Sequence, residues 1–328
     1  MGFSIGDISL RHGIMLAPMA GFSDGAMRQV CRRMGAEYSV TEMVSAKAVC
    51  FGDKKTVTLA AIRAEEGPVG LQIFGKEPDV MARAAELLAT GSGEGFVPPS
   101  SIDINMGCPV NKIFGNGEGS ALMRSPELIY KIVRAVSDIS PVPVTVKLRL
   151  GVDREHINAA ECALAAEEGG ASIICLHGRT RVEMYSGSVD MDSIRDVKKC
   201  LHIPLVANGD IRSGEDALLM LEYTGADGIA VGRGAVGNPF IFDEIIHALE
   251  GREYTPPTRK EIIEMALSQL SLSVGQKGEK IAVPEARKQI ASYLHGFPGS
   301  ASIRAEINRA NSYALVENIL RRVLSQGK

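Results

Sequence analysis

The sequence offers little to a metal. Its six cysteines, at 31, 50, 108, 162, 175 and 200, include no C-x-x-C pair, so the ligand spacing of a zinc site or an iron-sulfur cluster is absent. Reduced thiols in a cytosolic enzyme fit this usage best. No run reaches the roughly 18 consecutive apolar residues that a membrane helix needs, and Met1-Gly2-Phe3-Ser4-Ile5-Gly6 lacks a basic region followed by an apolar stretch. The expectation is a cytoplasmic protein. Gly6 also stands where a myristoylation signal wants Ser or Thr. Nor is there an excess of charge: the net value is -3, with 23% charged and 45% hydrophobic residues. That balance excludes a disordered chain, a collagen and a coiled coil. The 328 residues suit either two domains or one α/β barrel with an appendage.

What is present is a rhythm. Apolar runs rich in β-branched residues start at Ile14, Tyr38, Val69, Ile102, Val142, Ser172, Ile203 and Gly228, spaced 24, 31, 33, 40, 30, 31 and 25 residues apart. These are strand-helix-strand intervals, and the segments between carry helical periodicity. Gly35-Ala36, Gly170-Ala171 and Gly225-Ala226 punctuate three helix-to-strand joints, as left-handed helix caps would. Eight units predict a TIM (β/α)8 barrel over residues 1–250. GSGEGFVPPS, residues 91–100, reads as a loop before the fourth strand. After a helix ending near Leu249 and the Pro256-Pro257 break, only helical periodicity remains. One stripe is Ile262, Ala266, Leu270 and Val274, another Ile303, Ile307, Ala310 and Ala314. Residues 255–328 are therefore expected to form an all-α domain. It holds 11 Lys or Arg against 6 Asp or Glu, while the remainder holds 25 against 33, so a basic appendage sits on an acidic body.

Each strand ends in small or chemically capable residues: Pro18, Glu42, Gln72, Cys108, Lys147, His177, Asn208 and Arg233. In a parallel barrel these ends share one face, where barrel enzymes work. Asn208-Gly209-Asp210 and Gly232-Arg233-Gly234 end the last two strands, a common barrel phosphate site. Gly232-Arg233-Gly234-Ala235-Val236-Gly237 also fits a dinucleotide fingerprint, but no further strand follows it, so that reading is rejected. With Gln72, Lys147 and Pro18-Met19-Ala20, the phosphate site describes a slot for a flat phosphorylated heterocycle, and flavin mononucleotide (FMN) is the natural candidate. Cys162 and Cys175 read as inert core thiols, whereas Cys108 leaves its strand onto the active face beside the glycine-rich Gly115-Asn116-Gly117-Glu118-Gly119.

In this order the motifs resemble those of the tRNA-dihydrouridine synthases, most closely the bacterial B type. The resemblance rests on Ala17-Pro18-Met19-Ala20, TEMVSAKAV from Thr41, Gln72-Ile73-Phe74-Gly75 and DINMGCPVNKIFGNGEGSALM from Asp103. It continues through VKLRLG from Val146, HGRTRVEMYSG from His177, Asn208-Gly209-Asp210-Ile211, GRGAVGNP from Gly232 and Gly296-Phe297-Pro298-Gly299. It implies FMN-dependent reduction of the C5=C6 bond of particular uridines in tRNA, with NADPH as reductant and the helical domain gripping the tRNA. Hydride would pass to C6 and a proton from Cys108 to C5. Carried over by position, Pro18, Met19, Ala20, Gln72, Lys147, Asn208, Gly209, Asp210, Gly232 and Arg233 would contact FMN, with His177 close to it. Asn105, Arg149 and Arg179 are substrate-side candidates. Arg287, Lys288 and Arg304 are candidate phosphate contacts, and Tyr293 and Phe297 nearby are stacking or packing groups, with a place in the helical core the favoured reading. No metal is implied, and a monomer is the simpler expectation. Phe240 and Met191 stand where relatives often carry Trp. Two rivals remain: an FMN barrel enzyme acting on a free pyrimidine, like dihydroorotate dehydrogenase, and an RNA-binding module without catalysis.

Overall fold

Each of the eight β-branched runs forms a strand. In the computed structural model, which describes residues 2–90 and 96–325, a short antiparallel hairpin comes first, β1 (Phe3–Ile5) and β2 (Ile8–Leu10). The barrel strands follow: β3 (Ile14–Leu16), β4 (Tyr38–Val40), β5 (Val44–Ser45), β6 (Val69–Phe74), β7 (Ser101–Asn105), β8 (Val144–Arg149), β9 (Ile173–His177), β10 (Leu205–Asn208) and β11 (Gly228–Val231). All pairings among them are parallel, and contacts of β4 with both β3 and β6 close the sheet. β4 and β5 are two pieces of one barrel strand, since both pair with β6. Between them three residues, Thr41 to Met43, face two on β6, so the strand bulges. The Thr41 hydroxyl mends the gap by accepting the Gln72 N–H at 2.9 Å.

Side chains alternate along the strands. Ile102, Ile104, Val144, Val146, Leu148, Ile174 and Leu176 point outward into the layer shared with the helices. Met15, Tyr38, Val40, Ile173, Cys175, Val206 and Ala230 cluster inside, where Ile5 and Leu10 of the hairpin join them. The inward register of β6, β7 and β8 is different in kind: Gln72, Ser101, Asp103, Asn105, Thr145 and Arg149 are all buried polar residues. Gly35, Gly170 and Gly225 have φ of +106°, +103° and +67°, so all three joints need glycine, although the last alone takes the left-handed helical cap conformation. Of the expected loop at 91–100, residues 91–95 lie outside the described residues, and the rest is irregular.

Beyond Ile241–Leu249 come four helices, Arg259–Lys277, Glu279–Ser292, Ser300–Ile307 and Tyr313–Ser325. A capping box of Thr258 and Glu261 starts the first. They share a core of Ile263, Leu267, Leu270, Ile290, Tyr293, Phe297, Ile307 and Leu320. The expected stripes need correction. On the first helix, burial centres on Ile263 and Leu267 as well as Ala266 and Leu270, leaving Ile262 and Val274 half-buried. The second stripe spans two helices, because the chain turns after Ile307, and Ala314 is exposed. The helices are fastened to the barrel by Lys277 on Asp24 at 2.7 Å and Arg33 on Ser268 at 3.0 Å.

Candidate active site

A cavity of about 1430 Å³ opens over the C-terminal strand ends. Pro18, Met19, Ala20, Gln72, Asn105, Cys108, Lys147, Arg149, His177, Asn208, Gly209, Asp210, Gly232 and Arg233 line it from the barrel, and Lys288 and Arg304 from the helices. The parallel register explains the convergence: Asn105 pairs with Lys147, Arg149 with His177, and His177 with Asn208, each near the end of its strand.

Two expected residues lie elsewhere. Arg179 is 1% exposed, and its guanidinium donates to the Ser186 and Gly187 carbonyls and to Asp210 at 2.6 Å, bracing the loop after β9. Arg287 donates twice to the Ala310 carbonyl, at 3.0 and 2.6 Å, tying one helix to the turn between two others. A guanidinium satisfies two carbonyl lone pairs as readily as a phosphate, and the sequence does not distinguish the two. Tyr293 and Phe297 are buried in the helical core, as read, with the Tyr293 hydroxyl donating to Gln269 at 2.5 Å. Phe240 lines the cavity and Met191 does not.

The cavity floor is strongly cationic. Lys147 donates to Asn208 Oδ1 at 2.9 Å and forms no salt bridge among the described residues. Asn208 is oriented for this by donating its own amide to the Ala230 carbonyl at 2.7 Å. Burial pulls the Lys147 pKa down, and Arg149 beside it adds to the pull. Burial, then Lys147, Arg149, Arg179 and Arg233, drives His177 far below the usual imidazole range, so it stays neutral. Asp210, at φ +53°, collects Arg179 at 2.6 Å, Arg233 at 3.3 Å and Arg212 at 3.6 Å. Burial alone would raise its pKa, but the Arg179 hydrogen bond and charge bring the net shift downward.

Glycines supply close approach. A Cβ on Gly232 would meet nothing nearer than Met19 Sδ at 3.7 Å, so its backbone is open to the cavity. A Cβ on Gly234 would strike the Ile211 carbonyl, and one on Gly237, at φ +73°, would lie 2.7 Å from the Tyr293 nitrogen and collide with Ser292. The fingerprint-like glycines thus seat the last strand's loop against its neighbour and against the helices. Between them lies a single 3-10 turn, Arg233–Ala235.

Cys108 is half-buried, with its main chain held on both sides. Its N–H donates to Asn105 Oδ1 at 2.9 Å, and its carbonyl accepts from the Ser120 hydroxyl at 2.8 Å. Burial pushes its thiol pKa up, opposed by the Val110 N–H and by Arg149. Arg149 is itself pinned to the Gly107, Thr180 and Met184 carbonyls at 2.9, 2.8 and 3.0 Å. The glycine-rich segment is folded into a short helix, Asn111–Gly115, and a turn braced by Lys76 on the Asn116 carbonyl at 2.8 Å.

Several lining residues were not anticipated: Phe22, Met43, Met184, Tyr185, His295 and Asn308. Tyr185 stands between Arg233, 4.6 Å from its ring, and Arg149 at 5.8 Å, while Lys288 lies 4.6 Å from the Phe22 ring. An aromatic residue shortly after a strand end was the available signal. Among the described residues no cluster of His, Cys, Asp and Glu could hold a metal, and no helix is long and apolar enough to cross a membrane.

Known proteins share the fold, and others share much of the sequence. A structure of histamine dehydrogenase from Rhizobium sp. 4-9 matches with a TM-score of 0.57 at 12% identity, over 83% of this chain and 50% of that one, a likeness of fold alone. A probable tRNA-dihydrouridine synthase of Rickettsia conorii is 40% identical over 94% of this chain and 92% of its own. The tRNA-dihydrouridine synthases B of Shewanella oneidensis and Pseudomonas putida are 39% and 38% identical, over 95% and 93% of this chain and 97% and 89% of theirs. The family model described as Dihydrouridine synthase (Dus) matches residues 15–326. A match that spans the barrel, the cavity and the terminal helices alike is a match of the whole machine, and the chain belongs to the dihydrouridine synthase family, most like its bacterial B type.

Proposed function

We propose that this protein reduces uridines in tRNA to dihydrouridine, using FMN held in the cavity and NADPH as the reductant. The observation that carries the reading is the pairing of a cationic floor with a neutral thiol above it. Lys147, Arg149 and Arg233 line one cavity, and among the described residues the one acid lining it is Asp210, 3.3 Å from Arg233, so the floor suits a multiply charged anion. The open backbone at Gly232 and the exposed guanidinium of Arg233 fit a phosphate; the Gln72 amide fits the pyrimidine edge of a flavin. The residues present therefore fit the group. When bound, FMN would supply the hydride that reaches C6 of the uracil.

Cys108 holds the proton at Sγ. Burial keeps it a thiol at neutral pH, as an acid requires and a nucleophile does not. Its delivery to C5 completes the reduction, and the Asn105 and Ser120 hydrogen bonds fix the turn from which it acts. Arg149, lowered by burial to about 10, remains charged beside it. The uridine must leave its stack to enter, so the surrounding RNA needs a grip. Residues 255–328 supply it, with Lys288 and Arg304 on the cavity wall facing the barrel's cations. A free pyrimidine as substrate would leave that wall without a role.

The test is direct. Purified protein should carry a yellow flavin and, with NADPH and an unmodified tRNA transcript, should form dihydrouridine detectable by mass spectrometry. Colourless protein that binds no added FMN, or transcript left unchanged by flavin-loaded protein, would overturn the reading.

A further inference from the structure

Beneath the cavity, outside its lining, lies a buried carboxylate with no established task. Asp103 is 3% exposed and accepts hydrogen bonds from Gln72 Nε2 at 2.7 Å and from the Thr145 hydroxyl at 2.5 Å. Gln72 Oε1 in turn accepts from Asn105 Nδ2 at 2.8 Å, and Asn105 Oδ1 accepts from the backbone N–H of Cys108 at 2.9 Å and of Gly107 at 3.3 Å. The chain has no ambiguity of direction. An ionised carboxylate can only accept and a backbone N–H can only donate, so both amides between them are forced into one orientation.

We infer that Asp103 is a positioning residue that, together with the Gly107 and Cys108 N–H groups at the other end of the chain, holds the Gln72 and Asn105 amides in one polarity, and through them what the cavity floor shows to its ligand and how the Cys108 turn is held. The count of hydrogen-bonding positions makes this specific. Gln72 has one N–H and one oxygen lone pair left over, a donor and acceptor side by side. Asn105 has its oxygen occupied twice and one N–H to spare, so it can donate but not accept. Burial pushes the Asp103 carboxyl up to about 6. An acid whose native pKa lies above its unfolded value destabilises the fold once ionised, that is at neutral pH, and the loss is relieved as pH falls through about 6. A buried charge that costs stability fits a site device better than a structural one.

The chain's polarity rests on geometry alone, while the identity of the ligand rests on the flavin reading above; a charge-swap cycle separates them. Asp103→Asn keeps every partner by turning its oxygen to Gln72 and its amide to Thr145, whose hydroxyl can accept instead of donate, so Tm at pH 7 should match or exceed that of the unaltered protein. Asn105→Asp places a carboxylate against Gln72 Oε1 and should lower Tm by about 5 °C, as an unpaired buried acceptor does in a chain of this size. The double variant lets Gln72 turn over, with residue 105 accepting its amide and residue 103 donating to its oxygen. It should recover the Tm lost by Asn105→Asp while binding FMN at least tenfold more weakly than Asp103→Asn does, measured by quenching of flavin fluorescence, with a shifted absorption band. Additive Tm changes, or recovery of FMN affinity along with Tm, would overturn the inference. Should the unaltered protein bind no FMN, the flavin reading fails, and the Tm cycle still decides the polarity of the chain.

Discussion

The two walls of the cavity are built on opposite principles. On the barrel side most lining polar groups are held by partners within the barrel: Lys147 on Asn208, Asn105 on Gln72, Arg149 on three carbonyls. On the helical side Lys288 is open to solvent and lies over Phe22, while Arg287, off the lining, is spent on the Ala310 carbonyl. The barrel wall is pre-organised by these partners, which suits the chemistry on a small ring proposed above. The helical wall can adjust to a long, charged and variable backbone. One wall is suited to specificity of reaction, the other to grip.

If that division holds, the largest effect belongs to the thiol. Cys108→Ala should lower turnover by about 10² to 10⁴-fold while leaving flavin content unchanged. In the unaltered protein the proton-transfer step should be level through neutral pH and slow above the ordinary thiol range, because burial raises the Cys108 pKa and the acid form is the active one. Single-turnover flavin oxidation across pH checks this, and a step that accelerates with alkalinity would make Cys108 a nucleophile.

Next comes the seam between the walls. Gly237→Ala combines a positive φ with a collision at Ser292 and Tyr293, so thermal unfolding should show a loss of about 2 kcal/mol or more. Because the displaced part is the helical wall, KM for tRNA should rise more than kcat falls.

The smallest effects divide the cations. Lys288→Ala and Arg304→Ala should each raise KM for tRNA a few-fold, with a shallower salt dependence and little change in kcat. Arg287→Ala should leave that salt dependence alone and lower stability by about 1 to 2 kcal/mol, for the loss of two hydrogen bonds to one carbonyl. Equal behaviour of all three would erase the distinction between the cations that line the helical wall and the one that braces it from behind.

The legibility of the chain follows the same line. The strand ends could be read because a parallel barrel converts position along a strand into position on one face, so Gln72, Lys147, His177 and Asn208 meet by register alone. Arg179 and Arg287 were misplaced because a guanidinium's partner is chosen by neighbours distant in the chain, here Asp210 and Ala310. The split of the second barrel strand hid inside an apolar run, where one extra residue leaves no mark on composition.

Sequence periodicity, glycine placement and strand-end chemistry determined the barrel, its terminal helices and the face that carries the site, since these depend on local spacing and backbone freedom. Tertiary structure alone decided the hydrogen-bond partners: which arginine braces a loop, which carboxylate orients an amide, and that Gly237 lies under Tyr293. Those choices depend on distances between segments far apart in the chain, and they appear only once the barrel has closed.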